Sequence, residues 1–303
     1  MKLRLTLLDL KACIENVRQR ILGTRLANVY DMPGGKTYLL KFAKAGRQEA
    51  ENEKFVLLIE SGVRLHLTRY SRDKNHVPSG FALKLRKHVR TKRLEEITLL
   101  GLDRIVDMTF GTGNTAFHII IEFYASGNII LTDHEYSILT LLRTHKHDES
   151  VRVAVREKYP LGLARQYVPL SPKLLDDSLA GANPSDSLKQ ILSDSSKGTA
   201  QYGPALIEHS LVTAGLDTSL TVGQYLSNPS LRQRLLDALA ESDKLLTGVR
   251  DGSFPGYVFL ASPQANTTSR RSKKKAARGE QQQQQIAAAS AEDKDAVGGG
   301  AGG

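Results

Sequence analysis

Cysteine is almost absent from the chain: Cys13 is the only one in 303 residues. No internal disulfide can form, and a zinc site built on cysteine pairs is excluded. A reducing compartment, cytosol or nucleus, fits best. Tryptophan is missing, and aromatic residues make up 6% of the sequence. No apolar run reaches the ~18 residues of a membrane-spanning helix, so no span is expected. The opening stretch MKLRLTLLDLKACIE interrupts every apolar run with a charge and lacks a small-residue cleavage site. It does not read as a secretory signal.

The apolar content of 40% is enough for a buried core, and the net charge is +10. Residues 261–303 hold seven Lys/Arg against four Asp/Glu, which leaves +7 on the rest of the chain. The basicity therefore belongs to the folded body, and a basic body favours an anionic partner, nucleic acid or an acidic surface.

Leu7, Leu10, Ile14, Val17 and Ile21 recur at helical spacing behind Thr6, and Gly23 supplies a stop. Short β-type runs follow at 26–30 and 37–42, joined by Met32-Pro33-Gly34-Gly35, and at 55–59 and 63–68, joined by Ser61-Gly62. Residues 81–93 are helical in pattern and strongly basic. Further strands are expected at 105–110, 116–124, 128–132 and 136–142, with Ser126-Gly127-Asn128 as a tight turn. The fold class is α+β: residues 1–170 form a mixed domain in which helices frame antiparallel strands. A small helical domain is expected over 171–261, with helices at 187–192, 204–214 and 230–246. Residues 262–303, rich in Gln, Ala, Gly and basic residues, read as a disordered linker.

Lys84, Arg86, Lys87, Arg90, Lys92 and Arg93 fall within a thirteen-residue run, 81–93, that contains no acid. Six like charges on one helix repel one another, and a polyanion relieves that cost while releasing its counterions. The choice lies between a solvated helix face and a phosphate-binding surface, and the missing acids favour the second. Leu85 and Val89, four apart, are placed to face a core. Gly34-Gly35-Lys36-Thr37 fails as a phosphate loop, because Tyr30 stands where the first glycine belongs and a strand follows. His134, His145 and His147 lack metal-ligand spacing, and no metal or cofactor is expected. Thr6-x-x-Asp9 fits a capping box, and Asp103-Arg104 fits an ion pair at a strand entrance.

Several ordered blocks carry a resemblance. They are Ser61-Gly-Val-Arg-Leu-His-Leu-Thr68, Pro78-Ser-Gly-Phe81 with Leu85-Arg-Lys-His88 and Thr91-Lys-Arg-Leu94, and Gly101-Leu-Asp-Arg-Ile-Val-Asp107. To these are added 122–133 and 202–217. Over roughly residues 1–260 the chain resembles the NFACT family. The resemblance implies an N-terminal domain similar to that of formamidopyrimidine-type DNA glycosylases, followed by a helix-hairpin-helix-type domain. It implies a ribosome quality control factor that binds the large ribosomal subunit with its stalled peptidyl-tRNA. Such a factor recruits aminoacyl-tRNA for mRNA-independent tailing with alanine or threonine and supports a Listerin-type ubiquitin ligase. It implies a chain that continues into a coiled coil, and a cytoplasmic location with the nucleus as a second compartment. Asp9, Asp103 and Arg104 match the family's tRNA-handling residues. The ribosome would supply the chemistry, so no catalytic residue is expected. The alternative is a nucleic-acid-processing enzyme on a glycosylase-like fold. Against it, Lys2-Leu3 replaces the proline and glutamate that base excision needs. Adhesin-like bacterial relatives suggest a third, extracellular role, which the cysteine usage disfavours.

Overall fold

The computed structural model describes residues 4–44, 53–146 and 151–248, all within one compact unit spanning Met1–Phe254. The 262–303 linker, Lys2-Leu3 and His147 lie outside the described residues.

Helix α1 (Leu7–Ile21) starts on a reciprocal capping box between Thr6 and Asp9 and buries Leu10, Ile14, Val17 and Ile21. Strands β1 (Arg25–Asp31), β2 (Thr37–Lys44), β3 (Glu53–Glu60) and β4 (Arg64–Thr68) form an antiparallel meander. The expected hairpin at 32–35 closes through Met32 N–H donating to Thr37 C=O (3.0 Å). Helix α2 (Gly80–Val89), capped by Ser79, leads into a second meander of β5 (Leu94–Leu99), β6 (Ile105–Phe110), β7 (Phe117–Glu122), β8 (Asn128–Asp133) and β9 (Ile138–Leu141). The inner faces of both sheets share one core with α1 and α2. The outer face of the second sheet buries Ile105, Ile120, Ile130 and Ile138 beneath Val153 and Tyr159. Strand β7 is therefore covered on both sides, which is why Phe117–Glu122 reads as a nearly continuous apolar run instead of an alternating one.

A two-stranded ribbon, β10 (His145–Lys146) with β11 (Arg152–Val153), precedes the helical part. There α3 (Pro172–Leu179), α4 (Leu188–Ser193), α5 (Gly203–Thr213), α6 (Val222–Leu226) and α7 (Pro229–Thr247) enclose a second core, against which Leu7, Leu8 and Leu102 also pack. Among the described residues no helix is long and apolar enough to cross a membrane.

The expected basic helix over 81–93 is too long. It ends at Val89, with Arg90 extended at the C-cap and Thr91 in the left-handed region at φ 69°. Lys92 and Arg93 therefore lie on the turn into β5, a strand that the acidic pair Glu95-Glu96 and a bulge after Leu94 conceal in the sequence. Helix α3 was also unforeseen, because its Ser/Asp-rich surroundings mask the Ser171 cap and the Pro172 first turn.

Candidate nucleic-acid interface

The positive charge is concentrated in one part of the chain. Residues 1–170 carry 28 Lys/Arg against 18 Asp/Glu, whereas residues 171–248 carry 6 against 9. Within the basic part, residues 69–93 hold nine Lys/Arg and one acid, Asp73. Among the described residues no ion pair engages any of the nine. The charge on this face is therefore not internally compensated.

The six cations named from the sequence divide by what they touch. Lys84 and Lys87 are exposed on α2. Arg86 Nε donates to Val29 C=O (2.6 Å) and Arg90 Nε to Ala27 C=O (3.2 Å). Two arginines one helical turn apart thus cap two carbonyls on the edge of β1, covering a backbone that would otherwise be open to strand pairing. Lys92 Nζ donates to Thr115 C=O (2.8 Å) and lies 5.1 Å from the Phe117 ring centre. Arg93 is exposed and joins β1 by a backbone bridge to Arg25. Both Arg86, at 5.5 Å, and Lys74, at 4.4 Å, stand over the ring of Tyr30.

Asp9 and Arg104 both contact the segment before α1, at Thr6 and Leu5, and Asp103 precedes Arg104 in the chain. Asp9 Oδ2 accepts from Thr6 N–H (2.6 Å) and from Thr6 Oγ1 (2.7 Å). Arg104 Nη1 donates to Leu5 C=O (3.3 Å). Asp103 Oδ2 accepts from Arg165 N–H (2.9 Å), and Leu102 N–H donates to Arg165 C=O (2.8 Å), so this turn clasps the 160–165 segment. The Asp103-Arg104 ion pair expected at the strand entrance is replaced by these two backbone contacts. Burial, reinforced by nearby Arg4, pulls the Arg104 pKa down from its ordinary value. Asp103 and Arg104 border a cleft of about 340 Å³ that is also lined by Glu122, Tyr124 and Tyr159. Glu122 is 2% exposed and accepts from Tyr159 OH (3.0 Å). Burial, then the Glu122 charge, pushes both tyrosines' pKa values well up, so they remain donors.

The sequence reading missed several polar groups. Asp31, 3% exposed, accepts from Asn75 Nδ2 (2.7 Å) and Ser79 N–H (3.2 Å). Burial raises the Asp31 pKa, but these hydrogen bonds outweigh it and hold the carboxyl below its ordinary range. Asp107 accepts from Tyr136 OH (2.9 Å) and meets His118 Nδ1 (3.1 Å), with the imidazole stacked on the Tyr136 ring. Tyr136 itself is in the left-handed conformation (φ 63°) at the β8–β9 turn. The partners lie eleven to forty-eight positions apart, so no local motif announces them.

The family model described as "NFACT N-terminal and middle domains" matches residues 6–248. The chain belongs to the NFACT family. The human protein named ribosome quality control complex subunit NEMF is 39% identical over 260 residues, covering 85% of this chain and 23% of that relative. The Drosophila melanogaster homologue is 44% identical over 218 residues, covering 72% and 21%. Ribosome quality control complex subunit 2 of Schizosaccharomyces pombe is 34% identical over 299 residues, covering 86% and 28%. The NFACT chain described here thus spans about a quarter of the length of these relatives. Among solved structures, the N-terminal part of the fibronectin/fibrinogen-binding protein from Streptococcus suis superposes with a TM-score of 0.52 at 19% identity, covering 78% of this chain and 84% of that one. That likeness is one of fold: a mixed α+β NFACT architecture with antiparallel sheets.

Proposed function

We propose that this chain is the RNA-engaging part of a ribosome quality control factor. It docks on the large ribosomal subunit that still carries stalled peptidyl-tRNA. There it recruits aminoacyl-tRNA, alanyl or threonyl, for mRNA-independent tailing and supports recruitment of a Listerin-type ubiquitin ligase. Asp9, Asp103 and Arg104 handle the tRNA, while Lys84, Lys87, Arg93 and the outer arms of Arg86, Arg90 and Lys92 meet RNA phosphates. The ribosomal peptidyl-transferase centre performs the chemistry, so the chain itself is not an enzyme. Its setting is the cytoplasm, with the nucleus as a second compartment. In the same reading, residues 1–170 are the glycosylase-like domain, 171–261 the helix-hairpin-helix-type domain and 262–303 the linker.

The observation that carries this reading is the uncompensated basic face of residues 69–93 on a chain of this family. Arginine forks whose Nε is already fixed to a carbonyl lose less entropy on binding phosphate than free side chains do. Carboxylates on a basic domain repel backbone phosphate, so Asp9 and Asp103 add selectivity more than affinity. Crosslinking followed by sequencing of the RNA bound to the chain in cells tests this. Enrichment of tRNA and large-subunit rRNA is the expected result. RNA no different from a mock capture would overturn it.

A further inference from the structure

The run of cations continues on the N-terminal side of residue 81. Residues 69–79 connect β4 to α2 and contain Arg69, Tyr70, Arg72, Lys74 and His76, all exposed. This loop is pinned. Asp31, at the end of β1, accepts from Asn75 Nδ2 and from Ser79 N–H, and its carbonyl accepts from Asn75 N–H (3.0 Å). The clamp brings Lys74 to the Tyr30 ring from the loop side, while Arg86 reaches the same ring from α2. Three cations then follow one line along β1: Arg90 beside Ala27, Arg86 beside Val29, and Lys74 beside Tyr30. Ala27 and Val29 are two apart on a strand, a step of roughly 7 Å. Arg90, at the C-cap of α2, follows Arg86 by one turn, a rise of about 6 Å. The Arg86–Arg90 spacing is comparable with that of successive phosphates along one nucleic-acid strand, and Lys74 continues the row at the next residue of β1, Tyr30.

Past Lys74 the loop presents Tyr70. Its side chain is 75% exposed, and Arg72 lies 5.7 Å from its ring centre. An aromatic ring left in water beside Arg72, on the same loop as Lys74, suits a base that has left its stack; bases within a duplex offer no such face.

We propose that the 69–79 loop and α2 together form a track for a single unpaired RNA strand. Lys74, Arg86 and Arg90 take successive phosphates, and Tyr70 stacks on a base. This rests on the reading that the face binds RNA, and it specifies which form of RNA. An acidic protein surface would satisfy the cations but leave Tyr70 without a role.

The test uses the 303-residue chain, a fluorescein-labelled oligouridine and a labelled RNA duplex, with anisotropy read over a salt series. Tyr70→Ala should weaken oligouridine binding at least about fivefold and leave duplex binding unchanged. Tyr70→Phe should restore it. Lys74→Gln should flatten the log–log salt slope for oligouridine by about 0.7. Both side chains are exposed, and unchanged melting temperatures would exclude misfolding. If Lys84→Glu/Lys87→Glu loses RNA while Tyr70→Ala and Lys74→Gln bind like the parent, the RNA reading stands and the track is overturned. If all three bind like the parent, both fall. Equal binding of fluorescein-labelled polyglutamate, with no effect of Tyr70→Ala, would make this a protein-docking surface and also overturn the track.

Discussion

Asp9 and Arg104 hold the two sides of one peptide group. The Thr6 N–H donates to Asp9 and the Leu5 C=O accepts from Arg104, and both atoms belong to the Leu5–Thr6 linkage. In a trans peptide these atoms point in opposite directions, so the two side chains approach it from opposite sides. A carboxylate on the first turn of α1 and a guanidinium ninety-five positions later are thus joined through a single backbone unit. Any RNA contact made by either residue is made from this support.

The first prediction separates cap from contact. Asp9→Ala and Thr6→Ala should each cost about 0.5–2 kcal/mol of stability. Because each removes half of one capping box, the double variant should cost clearly less than their sum. Chemical denaturation of the four proteins checks this. Additive losses would show that Asp9 is not acting through Thr6.

The second concerns the two hairpin turns. Gly127 (φ 71°) faces Gly62 (φ 74°), and a Cβ on Gly127 would run into the Gly62 backbone. Gly127→Val therefore combines a left-handed β-branched residue with a backbone overlap, and should cost more than ~2 kcal/mol. Gly113→Ala, also left-handed (φ 55°) but with nothing within 4 Å, should cost only about 1–2 kcal/mol. Melting temperatures should fall in that order, and equal shifts would contradict the turn-to-turn contact.

Charge reversal on α2 must respect the β1 anchors. Arg86 and Arg90 cap Val29 and Ala27, so reversing them should lower the melting temperature as well as RNA binding. Lys84→Glu/Lys87→Glu should keep the melting temperature and weaken RNA binding. The salt slope should flatten by roughly 0.7–0.9 per lost phosphate contact. An unchanged slope in the folded double variant would remove these lysines from the interface.

His88 reports on the same face. Burial, then Lys87 and Lys84, pulls its pKa below the ordinary 6.5. Just below pH 6.5 the unfolded chain therefore binds the proton more readily than the folded one. The His88 contribution to stability is complete above that value and is lost as pH falls toward the folded pKa. An NMR titration should place the midpoint below 6.5, and Lys84→Gln/Lys87→Gln or bound RNA should raise it. A midpoint at or above 6.5 in the parent protein would contradict this electrostatic picture.

Local chemistry was legible in the sequence. Thr6-x-x-Asp9 announced the α1 cap, Met32-Pro33-Gly34-Gly35 the first hairpin, and Gly127 its left-handed turn. Leu85 and Val89 were correctly turned inward. The misses have physical causes. The helix expected over 81–93 ends early without a sequence signal, because Arg90-Thr91-Lys92 has no glycine or proline and Thr91 carries the left-handed turn itself. The Asp31 clamp joins residues 44 and 48 positions apart, and Arg104 reaches Leu5 across 99. Such contacts exist only once the sheets have formed. Tyr70 among the cations Arg69, Arg72 and Lys74 is a signal the sequence carries, interrupted by one acid, Asp73.

Under the proposed function, Asp9, Asp103 and Arg104 serve tRNA handling from a folded, RNA-binding support. The most direct measurement places Asp9→Ala, Asp103→Ala and Arg104→Ala together in the full-length protein and follows a stalled reporter by immunoblot, beside co-sedimentation with large ribosomal subunits. The variant should still sediment with the subunits while the upward smear of tailed product disappears. Normal tailing, or loss of subunit binding together with tailing, would contradict it and leave the three residues as supports of the fold.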